Sequence, residues 1–362
     1  MLFDAFSNNT LTLNNRIVMA PMTRCRAVHA DPVATPLMVK YYAQRASAGL
    51  IITEALPVSD RARGYVNTPA LWSERHAESF SAVTDAVHKA GGKIFAQIWH
   101  VGRIAHSSLN LNGLPPLGVS AKTAKVKTFI NGPDGGVAIA ACEQPVAATL
   151  ADIKTTIEDF AQSARMAKLA GFDGVEIHAA NGYLLDQFRC PTLNDRTDIY
   201  GGSLENRFRL TLDVVDAVSK VYAPGCISVR QSPYGNFNDM VPDADPLGTY
   251  TYIADQLQRR KIGFLHLFDQ GTNWIHDNTN PLLPALRKAY NGALIACGSF
   301  DQEKAEAVLK RGQADLVAFG KNFIPNPDLV RRMKEGLPLA PVDMAVFYAG
   351  GEKGYADYPE AA

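Results

Sequence analysis

The chain is poor in cysteine, has no excess of either charge and contains no long apolar run, and each shortage removes a class of function. Its five cysteines, Cys25, Cys142, Cys190, Cys226 and Cys297, are odd in number and scattered, with no Cys-x-x-Cys pair. That spacing disfavours a disulfide framework, a zinc site or an iron–sulfur cluster, so no metal is expected, and it suits a reducing, cytoplasmic compartment. Lys and Arg total 36 against 36 for Asp and Glu. No basic stripe stands out, and a nucleic-acid partner is not expected. No uninterrupted apolar stretch is long enough to span a bilayer, so no membrane partner is expected either. The segment Met1–Asn9 has neither a charged n-region nor a sustained apolar h-region, so no secretory signal is expected. No Gly-x-Gly-x-x-Gly follows an early strand, which lowers the reading of an open, doubly wound sheet.

What is present is alternation. Eight short runs dense in Val, Ile, Leu and Phe read as strands buried on both faces: Arg16–Met19, Leu50–Glu54, Lys93–Ile98, Gly174–His178, Cys226–Arg230, Phe264–Phe268, Leu294–Gly298 and Leu316–Phe319. Amphipathic stretches of helical length lie between them, at Ser73–Ala90, Leu150–Ala170, Ser203–Tyr222 and Asp301–Arg311. Thr149, Ser203 and Asp301 supply N-caps, and Gly171 and Gly312 supply stops. Eight strands alternating with helices predict one parallel (β/α)8 barrel over residues 1–362. A Gly-, Pro-, Asn- and Ser-rich excursion after strand three, at about 101–145, is too long for an ordinary loop and is expected to cap the carboxyl face as a lid.

In such barrels chemistry gathers where the strands end. Strand one runs into Pro21, Met22 and Thr23, strand two into Glu54 and Ala55, and strand three carries Gln97, with Trp99 and His100 beyond. Strand four ends at His178, strand five at Arg230, strand seven at Gly298 and Ser299, and strand eight at Gly320 and Lys321. Asn181 and Tyr183 follow His178 at once. Two neutral hydrogen-bond donors beside a potential proton donor suit a site that receives negative charge on a carbonyl oxygen and then supplies a proton. Gly-rich turns after strands seven and eight are where barrels build phosphate cradles. With Arg230 and Gln97 added, the rim implies a phosphorylated heterocycle lying across the mouth. Taken singly, each residue has a plainer reading. Gly298 and Gly320 read equally well as turn glycines, Arg230 as part of an ion network, and His178 as a satisfied core histidine. Convergence on one rim raises the functional reading.

These residues sit inside longer motifs: NRIVMAPMTR at 15–24, YYAQRASAGLII at 41–52, His178-x-x-Asn181-x-Tyr183, NDRTDIYGGSLENR at 194–207, FGKNFIPNPDL at 319–329 and GYADYP at 354–359. Over nearly its whole length the chain resembles the Old Yellow Enzyme family, FMN-dependent NAD(P)H ene-reductases on a (β/α)8 barrel. The resemblance implies that Thr23 bonds the flavin C4 carbonyl and that Pro21, Met22 and Ala55 line the isoalloxazine, with Phe347 against it. It implies that Gln97 pairs with the pyrimidine edge, that Arg230 sits near N1 and the C2 carbonyl, and that Gly298, Ser299, Gly320 and Lys321 hold the phosphate. Relatives often carry Arg where this chain has Lys321, and a Lys lacks the bidentate fork. By the same resemblance His178 and Asn181 grip the carbonyl oxygen of an α,β-unsaturated substrate, Tyr183 protonates the α-carbon, and Tyr65, Trp99 and Tyr348 wall the pocket. NADPH or NADH is the implied hydride donor, with enones, quinones, nitro compounds or nitrate esters as acceptors and a monomer or homodimer as the working form. The segment 194–207 is read as structural. Two other classes stay open at this point: a metal-dependent barrel hydrolase using His100, His178, His266 and Asp269, and a flavin-binding protein without turnover.

Overall fold

The computed structural model describes residues 1–133, 136–348 and 350–361. Eight parallel strands, β1 (Ile17–Met19), β2 (Leu50–Ile52), β3 (Ile94–Trp99), β4 (Gly174–His178), β5 (Ile227–Gln231), β6 (Phe264–Phe268), β7 (Ala293–Cys297) and β8 (Leu316–Phe319), pair in sequence order. The sheet closes through β8 on β1 and through β3 on β4, so it has no open edge. All eight segments expected from the sequence are strands, with ends shifted by one or two residues. The largest shift is at β2, which stops at Ile52 and leaves Glu54 beyond it, whereas β3 slides by one residue and so includes Trp99.

Helices follow the strands as α/β alternation requires. Glu74–Lys89 is capped by the Ser73 side chain. Leu150–Leu169 opens with a capping box in which Thr149 and Asp152 satisfy each other's backbone N–H. Leu204–Val218 is capped by Ser203 and ends earlier than the expected Tyr222, because residues 219–222 fold into tight turns on Val218. Gln302–Lys310, capped by the Asp301 side chain, together with Pro36–Ala43, Pro246–Arg259, Leu282–Ala289 and Leu329–Glu335, completes the outer ring. Apolar side chains fill three places, the third a cluster around Ala55, Trp99 and Tyr183 at the mouth. One large core lies between barrel and helices; a smaller one fills the barrel's interior, where Phe95 meets Phe264 edge to face at 5.6 Å. Leu11 and Leu13, from an N-terminal hairpin, join that inner cluster.

The excursion after β3 is more ordered than a loop-rich composition suggests. It contains an antiparallel hairpin, Lys127–Asn131 on Val137–Ala141, whose turn at 134 and 135 lies outside the described residues. Phe129 O accepts the Val66 N–H at 3.0 Å, and Arg103 donates to the carbonyls of Asn238 and Asp239 at 3.3 and 2.8 Å. The hairpin is thereby tied to the loop after β2, and the start of the excursion to the loop after β5.

Candidate active site at the carboxyl rim

Strand register decides which polar groups meet. Gln97, Glu176 and Ser228 are neighbours across β3, β4 and β5, and His178, Arg230 and His266 are neighbours across β4, β5 and β6. Alternate residues of a strand share a face, so β4 sends both Glu176 and His178 to one face of the sheet.

Glu176 is fully buried and accepts three hydrogen bonds: from Gln97 Nε2 at 2.8 Å, Ser228 Oγ at 2.7 Å and His266 Nδ1 at 2.8 Å. Burial alone would raise its carboxyl; His266, Arg230 and Ser228 overcome that and hold it at about 2. His266, pushed down by burial, donates from Nδ1 and turns Nε2 toward Arg230 Nη1, 3.2 Å away. A buried carboxylate is therefore balanced by a buried guanidinium through a neutral imidazole. Arg230 also lies over the Phe268 ring at 4.6 Å, and its Nε has no partner among the described residues.

Above this layer stands an aromatic wall. Trp99 is stacked between Tyr65 (5.7 Å, 14°) and His178 (6.0 Å, 14°), and the Tyr183 ring meets all three edge-on. The row continues from Tyr65 through Phe129 and Tyr348 to Phe347. Tyr65 and Tyr183 join hydroxyls at 3.1 Å. Burial pushes the Tyr183 phenol up to about 12. Burial, with Arg230 adding to it, pushes His178 down to about 3, so its imidazole is neutral. Its Nδ1 is buried and lacks a partner among the described residues. A neutral imidazole has one N–H to give and a phenol held at about 12 keeps its proton at neutral pH. Both are donors without being cations.

Asn181 lies past the strand, in a left-handed turn (φ 61°). Its N–H donates to Ser232 Oγ at 2.9 Å, its carbonyl accepts from Asn238 Nδ2 at 2.8 Å, and its Oδ1 accepts from Gln270 Nε2 at 2.8 Å.

The remaining sequence-predicted residues divide. Ala55 is buried beside Trp99 and Tyr183 in one cluster, and Pro21, Met22 and Thr23 are half-buried just past β1. Gly298 (φ 153°) and Ser299 (φ 49°) form the turn after β7. A Cβ on Gly320 would meet nothing nearer than Met22 Sδ at 3.5 Å. Phe347 is buried, with Arg24 over its ring at 5.2 Å, whereas Tyr348 is 40% exposed and Lys321 is exposed. Gln97 departs from expectation in one respect. One N–H of its Nε2 is committed to Glu176, so its Oε1 and the second N–H are left for a ligand. Glu176, Ser228, Ser232 and Gln270 escaped the sequence reading. A signal existed for Glu176, a charged residue inside an apolar strand two positions before His178.

The metal-hydrolase grouping does not assemble. His266 is engaged by Glu176, His100 Nδ1 accepts the Gly102 N–H at 3.0 Å, and Asp269 accepts from the N–H groups of Gly271, Thr272 and Asn273. Among the described residues no group of three or more His, Cys, Asp or Glu is placed to hold a metal ion, and no helix is long and apolar enough to cross a membrane.

An FMN fits what is present: an orphaned Arg230 Nε and His178 Nδ1 in the same buried mouth, an uncommitted acceptor on Gln97, and a Gly320 whose missing Cβ leaves nothing nearer than Met22 Sδ at 3.5 Å. Comparison with known proteins agrees. Residues 1–340 match the NADH:flavin oxidoreductase / NADH oxidase family. The chain is 40% identical over 365 residues to 12-oxophytodienoate reductase 1 of Oryza sativa subsp. japonica, covering 99% of this chain and 92% of that protein. It is 36% identical to 12-oxophytodienoate reductase 2 of Arabidopsis thaliana, with 99% and 95% covered. Among solved structures, morphinone reductase in complex with tetrahydroNAD superposes with a TM-score of 0.95 at 41% identity, covering 100% of this chain and 98% of the other. An old yellow enzyme homologue from Zymomonas mobilis gives 0.93 at 39%, with 99% of each covered. The chain belongs to the NADH:flavin oxidoreductase / NADH oxidase family, the Old Yellow Enzyme family of FMN-dependent oxidoreductases.

Proposed function

We propose that the chain reduces the activated C=C bond of α,β-unsaturated carbonyl compounds, taking reducing equivalents from NADPH or NADH. The observation that carries the reading is the neutral donor set His178, Asn181 and Tyr183 against the aromatic wall, directly beside the buried Arg230. The relatives' names support it, since 12-oxophytodienoate and morphinone are both ketones by name.

Arg230, Gln97, Thr23, Pro21, Met22, Ala55 and Phe347 hold the flavin ring, and Gly298, Ser299, Gly320 and Lys321 hold its phosphate. Bound FMN supplies a hydride, accepted from the nicotinamide and passed to the substrate β-carbon. His178 and Asn181 each donate a hydrogen bond to the substrate carbonyl oxygen and stabilise the enolate as negative charge develops there. Because His178 is neutral, it does this without a proton transfer to oxygen. Tyr183 then gives its proton to the α-carbon and recovers one from solvent. Tyr65 accepts a hydrogen bond from Tyr183 or donates one to it, which fixes the phenol's direction. Trp99, Tyr65 and Tyr348 wall the pocket, and the hairpin of the excursion serves as its lid. Quinones, nitro compounds and nitrate esters fit the same open, neutral-donor mouth.

The test is the double substitution His178→Ala/Asn181→Ala, assayed with cyclohexenone. Loss of one oxyanion donor costs about 10²–10³-fold in comparable sites, so kcat/KM falls by at least that while the FMN absorbance is retained. Unchanged turnover with FMN bound would sink the proposed grip.

A further inference from the structure

Asn181 has a side chain with one end that donates and one that accepts, and only one orientation can serve a developing oxyanion. The structure contains a device that selects it. Phe237, in the turn after β5, donates its backbone N–H to Gln270 Oε1 at 3.1 Å. A backbone N–H is a donor and nothing else, so it fixes which end of the Gln270 amide is oxygen. Gln270 Nε2 then faces Asn181 and donates to Oδ1 at 2.8 Å. With Oδ1 occupied, Asn181 Nδ2 is the end left for a ligand. The rest of Asn181 is held by Ser232 Oγ on its N–H and Asn238 Nδ2 on its carbonyl. Gly235 makes room for the relay: a Cβ there would lie 2.6 Å from Gln270 Oε1.

We propose that Gln270 is a positioning residue that polarises the site: the chain Phe237 N–H → Gln270 → Asn181, across the loops after β5, β6 and β4, keeps the Asn181 amide donor turned toward the substrate oxygen. The inference rests on the oxyanion role of Asn181 proposed above. It makes specificity for an electron-rich oxygen a property of three rim loops rather than of one asparagine.

Two variants test it in the FMN-loaded enzyme. Gln270→Met keeps length and removes the donor, leaving the Asn181 amide unbiased. Gln270→Glu still accepts from Phe237 N–H but, ionised, accepts from Asn181 Nδ2 as well, which turns Oδ1 toward the substrate. The probe is 4-nitrophenol, whose phenolate oxygen resembles the enolate oxygen, titrated by its own absorbance; flavin absorbance reports that the site is intact. The expected order of affinity is wild type, then Gln270→Met, weaker by about 2- to 10-fold, the worth of one hydrogen bond. Gln270→Glu is weaker still, by about 10- to 100-fold, the cost of facing acceptor against acceptor. Cyclohexenone kcat/KM follows the same order. It recovers in Gln270→Glu at low pH, where the protonated carboxyl again donates to Asn181 Oδ1.

Each substitution is repeated in an Asn181→Ala background, which separates orientation from a through-space charge effect. If the losses disappear there, the relay acts through Asn181. Equal losses in both backgrounds, or none in either, overturn the proposal. Separately, if Asn181→Ala alone leaves 4-nitrophenol affinity unchanged, the oxyanion reading itself fails, a result distinct from failure of Gln270.

Discussion

The residues proposed to do chemistry here are ordinary in type and unusual in environment. Tyr183 and His178 are both moved away from neutrality by burial, the phenol up to about 12 and the imidazole down to about 3. Across the pH range of ordinary assays neither changes charge, so the site presents neutral donors throughout. That makes Tyr183→Phe a clean experiment. The substitution removes a proton and a hydroxyl but leaves the edge-on ring contacts with Trp99 and His178. General acids contribute about 10²–10⁴-fold, so the enone half-reaction slows by that order while reduction of bound FMN by the nicotinamide, which needs no proton at the α-carbon, keeps its rate. Stopped-flow absorbance resolves the two halves. Tyr65→Phe is the control, since it removes only the 3.1 Å partner of Tyr183; equal loss in both variants would mean that the phenol pair, not the Tyr183 proton, matters. The place of His178 was legible in the sequence because it ends an apolar run, with Tyr183 five residues beyond it. Gln270 was not, since its proposed role arises from a backbone N–H thirty-three positions away.

At the scale of elements, strands were the most legible feature. Each of the eight is an apolar run bounded by polar or turn residues, and burial on both faces left little alternation to misread. Helix starts were legible through capping side chains at Thr149, Ser203 and Asp301. The hairpin at 127–131 and 137–141 was not, because its strands sit within a loop-like composition and its contacts outside the pair, with Val66 and Tyr65, lie far upstream. Phe129 carries its contact with the mouth, 6.3 Å from Tyr65 and 5.6 Å from Tyr348 between ring centres. Phe129→Ala is expected to raise KM for cyclohexenone about 2- to 10-fold, the loss of the contacts of one half-buried aromatic, with little change in the rate of chemistry at saturation. If the variant instead loses FMN, the hairpin braces the barrel and is not a lid.

For the whole molecule, the common feature of four buried histidines and the half-buried His29 sets its response to acid. Burial lowers His29 and His76 to about 4 and His100 and His178 to about 3, and lowers His266 as well. Between pH 6.5 and 4 the unfolded chain protonates these groups while the native protein refuses the protons, so the unfolded state binds more of them. Stability then rises with pH across that window and is lost on acidification. Glu54 opposes the trend. Burial raises its carboxyl to about 7, so the native state takes up a proton that the unfolded chain accepts only near 4.5. Burial also raises Asp159 and Asp213 from their ordinary value of 3.8. Three carboxyls against five histidines, four of them held at about 3 to 4, still leave the histidines in control. Glu176, held at about 2, adds to the loss below pH 4.5. The melting temperature, measured with excess FMN so that cofactor release is not limiting, is therefore expected to fall by roughly 5–10 °C between pH 7 and 4.5. The fall should already be under way at pH 6, above the range where surface carboxylates titrate. A melting temperature that holds constant down to pH 5 would mean that the histidines are not buried as neutral groups. In that case His178 would meet its substrate as a cation, and the assignment of a neutral oxyanion site would fall with it.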